Sequence, residues 1–113
     1  MNNQNTETFY LKWCDPQSQK MRDAGVAFYN EEYGEYLLKI DEDQGKQLFL
    51  KAIHQDAEKT HYRMEMVIKR KNGKFLKRQE VGEGFCGAKT NGDVHIRYGS
   101  KYATLILCQS KGA

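Results

Sequence analysis

Residues 62–77 read YRMEMVIKRKNGKFLK, and this stretch decides what kind of fold the chain adopts. Its first half places Tyr62, Met64, Met66 and Ile68 at every second position, with mostly charged side chains between them. A period of two is typical of a β-strand with one buried face. Asn72-Gly73 is the strongest short signal for a hairpin turn. The chain is therefore expected to return as a second strand from Lys74 to Val81.

Two registers of this hairpin are open. A two-residue turn places Ile68 opposite Lys77. A three-residue turn, with Gly73 as a bulge, places Ile68 opposite Leu76. We favour the bulged form because it pairs two aliphatic side chains across the strands.

Alternation, or at 102–108 a run that is apolar on both faces, predicts further strand segments on both sides of the hairpin. They lie at 9–14, 26–29, 35–40, 47–53, 94–98 and 102–108. Residues 46–58 also fit a helix, because many of them favour that state, and the strand is the preferred interpretation. Asp15 as N-cap, Pro16 at the first helical position and Gly25 as the stop predict one short helix.

The predicted fold class is mainly β: an antiparallel meander or small barrel, which the resemblance described below makes OB-like (similar to the oligonucleotide-binding fold). It has about six or seven strands, with one short helix and a possible second helix at 46–58. Curling the sheet into a barrel removes its exposed edges. The length of 113 residues predicts one domain over 1–113, with 1–6 and 110–113 expected to be disordered. Three widely spaced cysteines and the lack of a long apolar run predict reduced thiols, no membrane partner and a cytoplasmic location.

Positive charge is concentrated in residues 59–78, which carry eight Lys or Arg against the single acid Glu65. The rest of the chain is slightly acidic, although the net charge is +3. Such a cationic ribbon is typical of a surface that binds phosphates or an acidic partner. Lysine and arginine also protect exposed sheet edges, but eight together favour a binding role.

Several apparent catalytic or metal motifs fail in context, so we predict no enzyme activity, no cofactor and no metal. Residues 82–87 match G-x-G-x-x-G but lead into another strand, whereas a dinucleotide site needs a helix there. The glycines better fit a bend or bulge at a barrel corner. Asp41 to Gly45 resembles the start of a calcium loop, yet Lys51 stands where its bidentate Glu is required.

The run GVAFYNEEYGEYL at residues 25–37, together with the basic hairpin, resembles the oligonucleotide-binding (OB) barrels of single-strand-binding and mobile-element proteins. The resemblance implies that single-stranded DNA or RNA crosses the sheet beside the hairpin. The phosphate contacts would be Lys69, Arg70, Lys71, Lys74, Lys77 and Arg78, and the stacking candidates Tyr29, Tyr36 and Phe75. Stacking on aromatic rings tolerates any base sequence, although tyrosine on a strand is often ordinary β packing.

An acidic set departs from this pattern and would repel nucleic acid unless it lies on the opposite side: Glu31, Glu32, Glu35, Asp41, Glu42 and Asp43. It supports an alternative function. In that alternative the chain is a protein-interaction module, of the kind found in small phage or plasmid regulators and inhibitors, that docks on an acidic or basic protein surface.

Overall fold

Within residues 7–99 and 101–109, the part of the chain that this computed structural model describes, eight strands follow one another. They are β1 Thr8–Cys14, β2 Met21–Asn30, β3 Glu35–Ile40, β4 Leu48–Gln55, β5 Lys59–Lys69, β6 Phe75–Gly87, β7 Val94–Tyr98 and β8 Thr104–Cys108. Two single-turn 3-10 helices, Asp41–Asp43 and Ala88–Thr90, lie in connections between strands. The predicted disorder of 1–6 and 110–113 falls outside the described residues.

The eight strands form a closed antiparallel barrel in which each strand pairs with the next. The barrel closes where β1 pairs with β8, in a register that places Leu11 opposite Leu107. The mainly β meander and its closure are confirmed. The predicted count of six or seven strands is too low. An OB-fold is a five-stranded Greek-key barrel, so the sequential strand order here differs from it in connectivity.

Alternating side chains fill the inside of the barrel, as the period-two patterns predicted. Trp13, Leu38, Met64, Ile96 and Leu105 are among the fully buried residues. An eight-stranded barrel has an interior just wide enough for such side chains to fill. The preferred strand interpretation of 46–58 is also confirmed, because Leu48 and Leu50 of β4 are buried in this core.

The predicted helix after Asp15 is wrong, because the described residues form a tight strand connection there. The Asp15 carboxylate accepts backbone hydrogen bonds from Gln17 and Ser18 at 2.8 and 3.0 Å. Asp-Pro can begin a turn as well as a helix, and here the turn forms. The Asp15 amide then donates to the Lys20 carbonyl at 2.9 Å, and β2 begins at the next residue.

Gly25 lies inside β2 and does not stop a helix. The pairing of β1 with β2 shifts by one residue beside it, and a Cβ at this glycine would lie 2.0 Å from the carbonyl oxygen of Lys39. Residues 82–87 are likewise part of β6, beside a register shift at Val81. A bulge thus lies directly beside these glycines, in agreement with the expected bend or bulge.

Candidate nucleic-acid interface

The hairpin of β5 and β6 extends beyond the body of the barrel. The pairing of β4 with β5 ends at Met66, and the pairing of β6 with β7 ends at Gly82. Within residues 67–81, which we call the arm, strand pairing is therefore confined to the β5–β6 hairpin. Two further backbone hydrogen bonds join the base of the arm to the barrel: the Val67 amide donates to the Gln47 carbonyl at 3.0 Å, and the Gly99 amide donates to the Val81 carbonyl at 2.8 Å. A projecting two-stranded ribbon results, as the cationic sequence predicted.

The turn at the tip of the arm has the favoured three-residue form. Arg70 and Lys74 face each other, with the Arg70 amide donating to the Lys74 carbonyl at 2.7 Å, and Gly73 adopts a φ of +88°. The register beyond the turn was predicted wrongly. The pairing shifts after Lys69 and Phe75, so that Ile68 lies opposite Lys77. Leu76 is the extra residue of this second bulge.

Cations lie on both faces of the arm. Lys69 is paired with Phe75, whereas Lys77 is paired with Ile68 at the next position along the ribbon, and successive residues of a strand point to opposite faces. Five of the six predicted phosphate contacts are exposed and have no ion-pair partner among residues 7–99 and 101–109: Lys69, Arg70, Lys71, Lys74 and Lys77.

Arg78, the sixth predicted contact, instead forms ion pairs with carboxylates of the barrel strands. Its guanidinium donates to both carboxylate oxygens of Glu35, at 2.8 and 3.1 Å, and lies 3.4 Å from Glu65. It also lies 4.0 Å from the centre of the Phe49 ring. These hydrogen bonds from Arg78 to Glu35 raise the pKa of the guanidinium above its usual value. These contacts leave Arg78 less available to a phosphate than the other five cations, and its role as a phosphate ligand stays a prediction.

The three predicted stacking residues differ in how accessible their rings are to a ligand. Phe75 lies on the arm with 61% of its surface exposed, so it is available to a ligand. Tyr36 is a core residue whose hydroxyl donates to Gln109 at 3.1 Å, and burial raises its pKa. Its ring is buried in this structure, so the predicted stacking by Tyr36 has no support from its position. Tyr29 is partly exposed but packs edge-on against Tyr36, with ring centres 4.8 Å apart. Both tyrosines lie near the connection from β2 to β3, at the opposite end of the barrel from the arm tip.

The acidic residues do not form one patch. Glu31 and Glu32 lie in the connection from β2 to β3, at the end of the barrel opposite the arm tip. Residues 41–43 follow β3 and lie at the end of the barrel that carries the arm. At that end Glu42 pairs with Arg22 at 3.1 Å and with Lys101 at 3.5 Å. Asp43 accepts a hydrogen bond from the Tyr98 hydroxyl at 2.8 Å and pairs with Lys46. These ion pairs reduce the field that residues 42 and 43 direct at an approaching anion.

A row of four rings crosses the outer face of the barrel, and the sequence patterns gave no sign of it. Direct cross-strand pairing places His54 beside His61, His61 beside Phe85, and Phe85 beside His95. The row contains all three histidines of the chain. Their positions in sequence are unrelated, and only the register of four strands brings them together.

No protein-family model, no curated protein and no solved structure matches this chain significantly. Among the described residues, no helix is long and apolar enough to cross a membrane.

Proposed function

We propose that the protein binds single-stranded nucleic acid through the arm, without catalysing a reaction and without a cofactor. The observation that carries the proposal is a set of five exposed cations on one projecting ribbon, none of which forms an ion pair within the described part of the chain. Cations already paired with carboxylates contribute little to binding phosphates, whereas free ones release condensed counterions from the nucleic acid. The exposed ring of Phe75 adds a surface on which a base can stack.

The proposed setting is the cytoplasm, where nucleic acids are accessible and thiols stay reduced. The three cysteines are free in the structure and only partly buried. Burial and the nearby Asp93 carboxylate raise the pKa of the Cys108 thiol, which makes it a poor nucleophile near neutral pH. This property agrees with a binding role for the protein.

The test is a titration of single-stranded oligonucleotides at several salt concentrations. If four or five arm cations neutralise phosphates, log affinity should fall with log salt at a slope of about −3, because each single-strand contact contributes about −0.7. Replacing Lys71 and Lys74 by Glu should weaken binding to every sequence alike. The matched control is Lys39→Glu with Lys89→Glu, which makes the same charge change at exposed positions outside the arm.

A slope near zero, or equal weakening by the arm and control variants, would exclude specific contacts between the arm and phosphates.

The second candidate function is docking of the arm on an acidic protein surface. It is favoured by Phe75 and Leu76, which are 61% and 42% exposed beside the cations and would form an apolar contact within a charged rim. An arm that binds no nucleic acid at low salt would leave this second function.

A further inference from the structure

The ring row lies on the outer face of β4 to β7, and three of its four rings line an open groove. The ring centres of His54 and His61 are 5.5 Å apart, and those of Phe85 and His95 are 5.9 Å apart. His61, Phe85 and His95 line the groove together with Arg97 and Tyr102, and Tyr102 is 64% exposed. The groove thus offers several flat π faces close together.

The ring row and the arm share one continuous surface. His61 and Lys69 are separated by eight positions on β5, an even number, so their side chains point to the same face. On that face the pair His61 and Phe85 is followed toward the tip by pairs that begin at Arg63, Glu65 and Val67, and finally by Lys69 with Phe75. The distance from His61 to Lys69 is about 26 Å at 3.3 Å per residue.

Acidic side chains between the two regions are largely neutralised. Glu65 lies 3.6 Å from Arg63 and 3.4 Å from Arg78, and Arg63 also lies 3.8 Å from Glu80. Glu83 lies between two cations on the neighbouring strands, since it is paired with Arg63 on β5 and with Arg97 on β7. A polyanion following this face from the arm to the row therefore meets a nearly balanced surface.

A cation also stands at the row itself. The Lys59 ammonium lies 4.9 Å from the centre of the Phe85 ring, where it occupies one face. The lysine side chain is long and flexible. The ammonium can therefore move away from the Phe85 ring when a nucleobase stacks there, and it can then contact the adjoining phosphate.

We propose that this row, with His61, Phe85 and His95 at its centre, is the base-stacking part of a single-strand site whose phosphate-binding part is the arm. The inference rests on the proposed function. Bases of unpaired strands stack on phenylalanine and histidine rings, and they do so without strong sequence preference. A duplex hides those base faces, so the row selects single strands.

The test compares oligothymidylate with an abasic sugar-phosphate polymer of the same length. The test variant combines Phe85→Leu with His95→Leu, which keeps apolar volume on the strands and removes two π faces. It should bind oligothymidylate about tenfold more weakly or worse, while its affinity for the abasic polymer stays that of the unaltered protein. Tyr33→Ala, which removes a ring that is 63% exposed in the connection from β2 to β3, is the control and should change neither affinity.

Equal affinities of the double variant and the unaltered protein for oligothymidylate would overturn the ring proposal and leave the arm proposal standing. Equal losses on both polymers would also overturn it, since the row would then act through charge or folding. Loss of stability is detected separately by the thermal midpoint, and the single variant Phe85→Leu then replaces the double one. If the unaltered protein binds neither polymer at low salt, both proposals fail.

Discussion

At the scale of single residues, Arg78 shows what a charge pattern leaves open. The preceding residue, Lys77, has no ion-pair partner among residues 7–99 and 101–109, and nothing in the local sequence distinguishes Arg78 from it. The difference comes from Glu35, a carboxylate only 5% exposed, which lies 43 positions earlier and is brought to Arg78 by the barrel. A sequence gives the charge of a side chain but not which distant group will pair with it.

We expect Arg78→Ala to lower the free energy of unfolding by about 2 kcal/mol. Removing one member of a buried ion pair costs about 3 to 5 kcal/mol, and the 32% exposure of the Arg78 side chain reduces that cost. Chemical denaturation measures it. Adding Glu35→Gln should recover part of the loss, because no buried charge is then left unpaired. Lys77→Ala is the control, and an equal loss in that variant would contradict the role of Glu35.

Asp56 provides a pH-dependent test. Hydrogen bonds from the backbone amides of Glu58 and Lys59, at 2.8 and 2.9 Å, and from His61 lower its pKa to about 2. Because the folded-state pKa is depressed, this carboxylate stabilises the fold above about pH 4, and the contribution is lost as pH falls toward 2. Asp56→Asn should therefore be less stable than the unaltered protein at pH 7, with a gap that narrows between pH 4 and pH 2.

Urea denaturation at pH 7, 4 and 2.5 follows that gap, and other carboxylates titrate equally in both proteins. A gap that stays constant down to pH 2.5 would show that the charge of Asp56 is irrelevant.

Burial of single side chains can be predicted from the sequence. In the first strand, alternation of Phe9, Leu11 and Trp13 predicts that Trp13 faces the core, and it is 2% exposed. Alternation predicts burial well because it depends only on local geometry.

At the scale of elements, the β5–β6 hairpin was predicted well near its turn and less well beyond it. Asn72-Gly73 fixes the turn, and the Lys74 amide indeed donates to the Asn72 side chain at 2.9 Å. The second bulge, at Leu76, has no such local signal. By shifting the register it places Arg78 opposite Val67, on the face that carries Phe49 and Glu65. Tertiary contacts therefore outweigh the aliphatic pairing that favoured the other register.

The shift in β2 gives a second test at this scale. Gly25→Ala should destabilise the protein by more than about 1 kcal/mol, since φ is +150° and the added Cβ would lie 2.0 Å from the Lys39 carbonyl oxygen. Gly45→Ala is the control, because it also has positive φ, at +92°, but no atom within 4 Å of the added Cβ. Thermal midpoints that fall equally would mean that backbone conformation alone, and not the close approach of β3, requires glycine at 25.

At the scale of the whole molecule, part of the acidic set is separated from the arm by the length of the barrel. Glu31 and Glu32 lie at the opposite end from the arm tip, and neither forms an ion pair within the described part of the chain. Replacing both with Gln should raise nucleic-acid affinity only slightly at low salt. The gain should vanish at physiological ionic strength, where the Debye length is about 8 Å.

Oligonucleotide titrations at both salt concentrations measure this gain. A large gain that persists in salt would place these acids beside the bound strand, against the proposed route along the arm.

Closure of the barrel was expected from the sequence because it removes exposed strand edges, but the ring row could not be predicted. The row depends on the register between four strands, whereas period-two patterns state only which face of each strand is buried.

The pairing of β1 with β8 also has a consequence for how the protein folds. Seven of the eight strand pairs join consecutive strands, but this one brings Tyr10 against Cys108. Joining such distant segments costs loop-closure entropy that neighbouring hairpins do not incur. We therefore expect the pairs of consecutive strands to form first during folding and the pairing of β1 with β8 to form late. In pulse-labelling hydrogen exchange, the amides between β1 and β8 should gain protection after those between β5 and β6, and simultaneous protection would contradict this order.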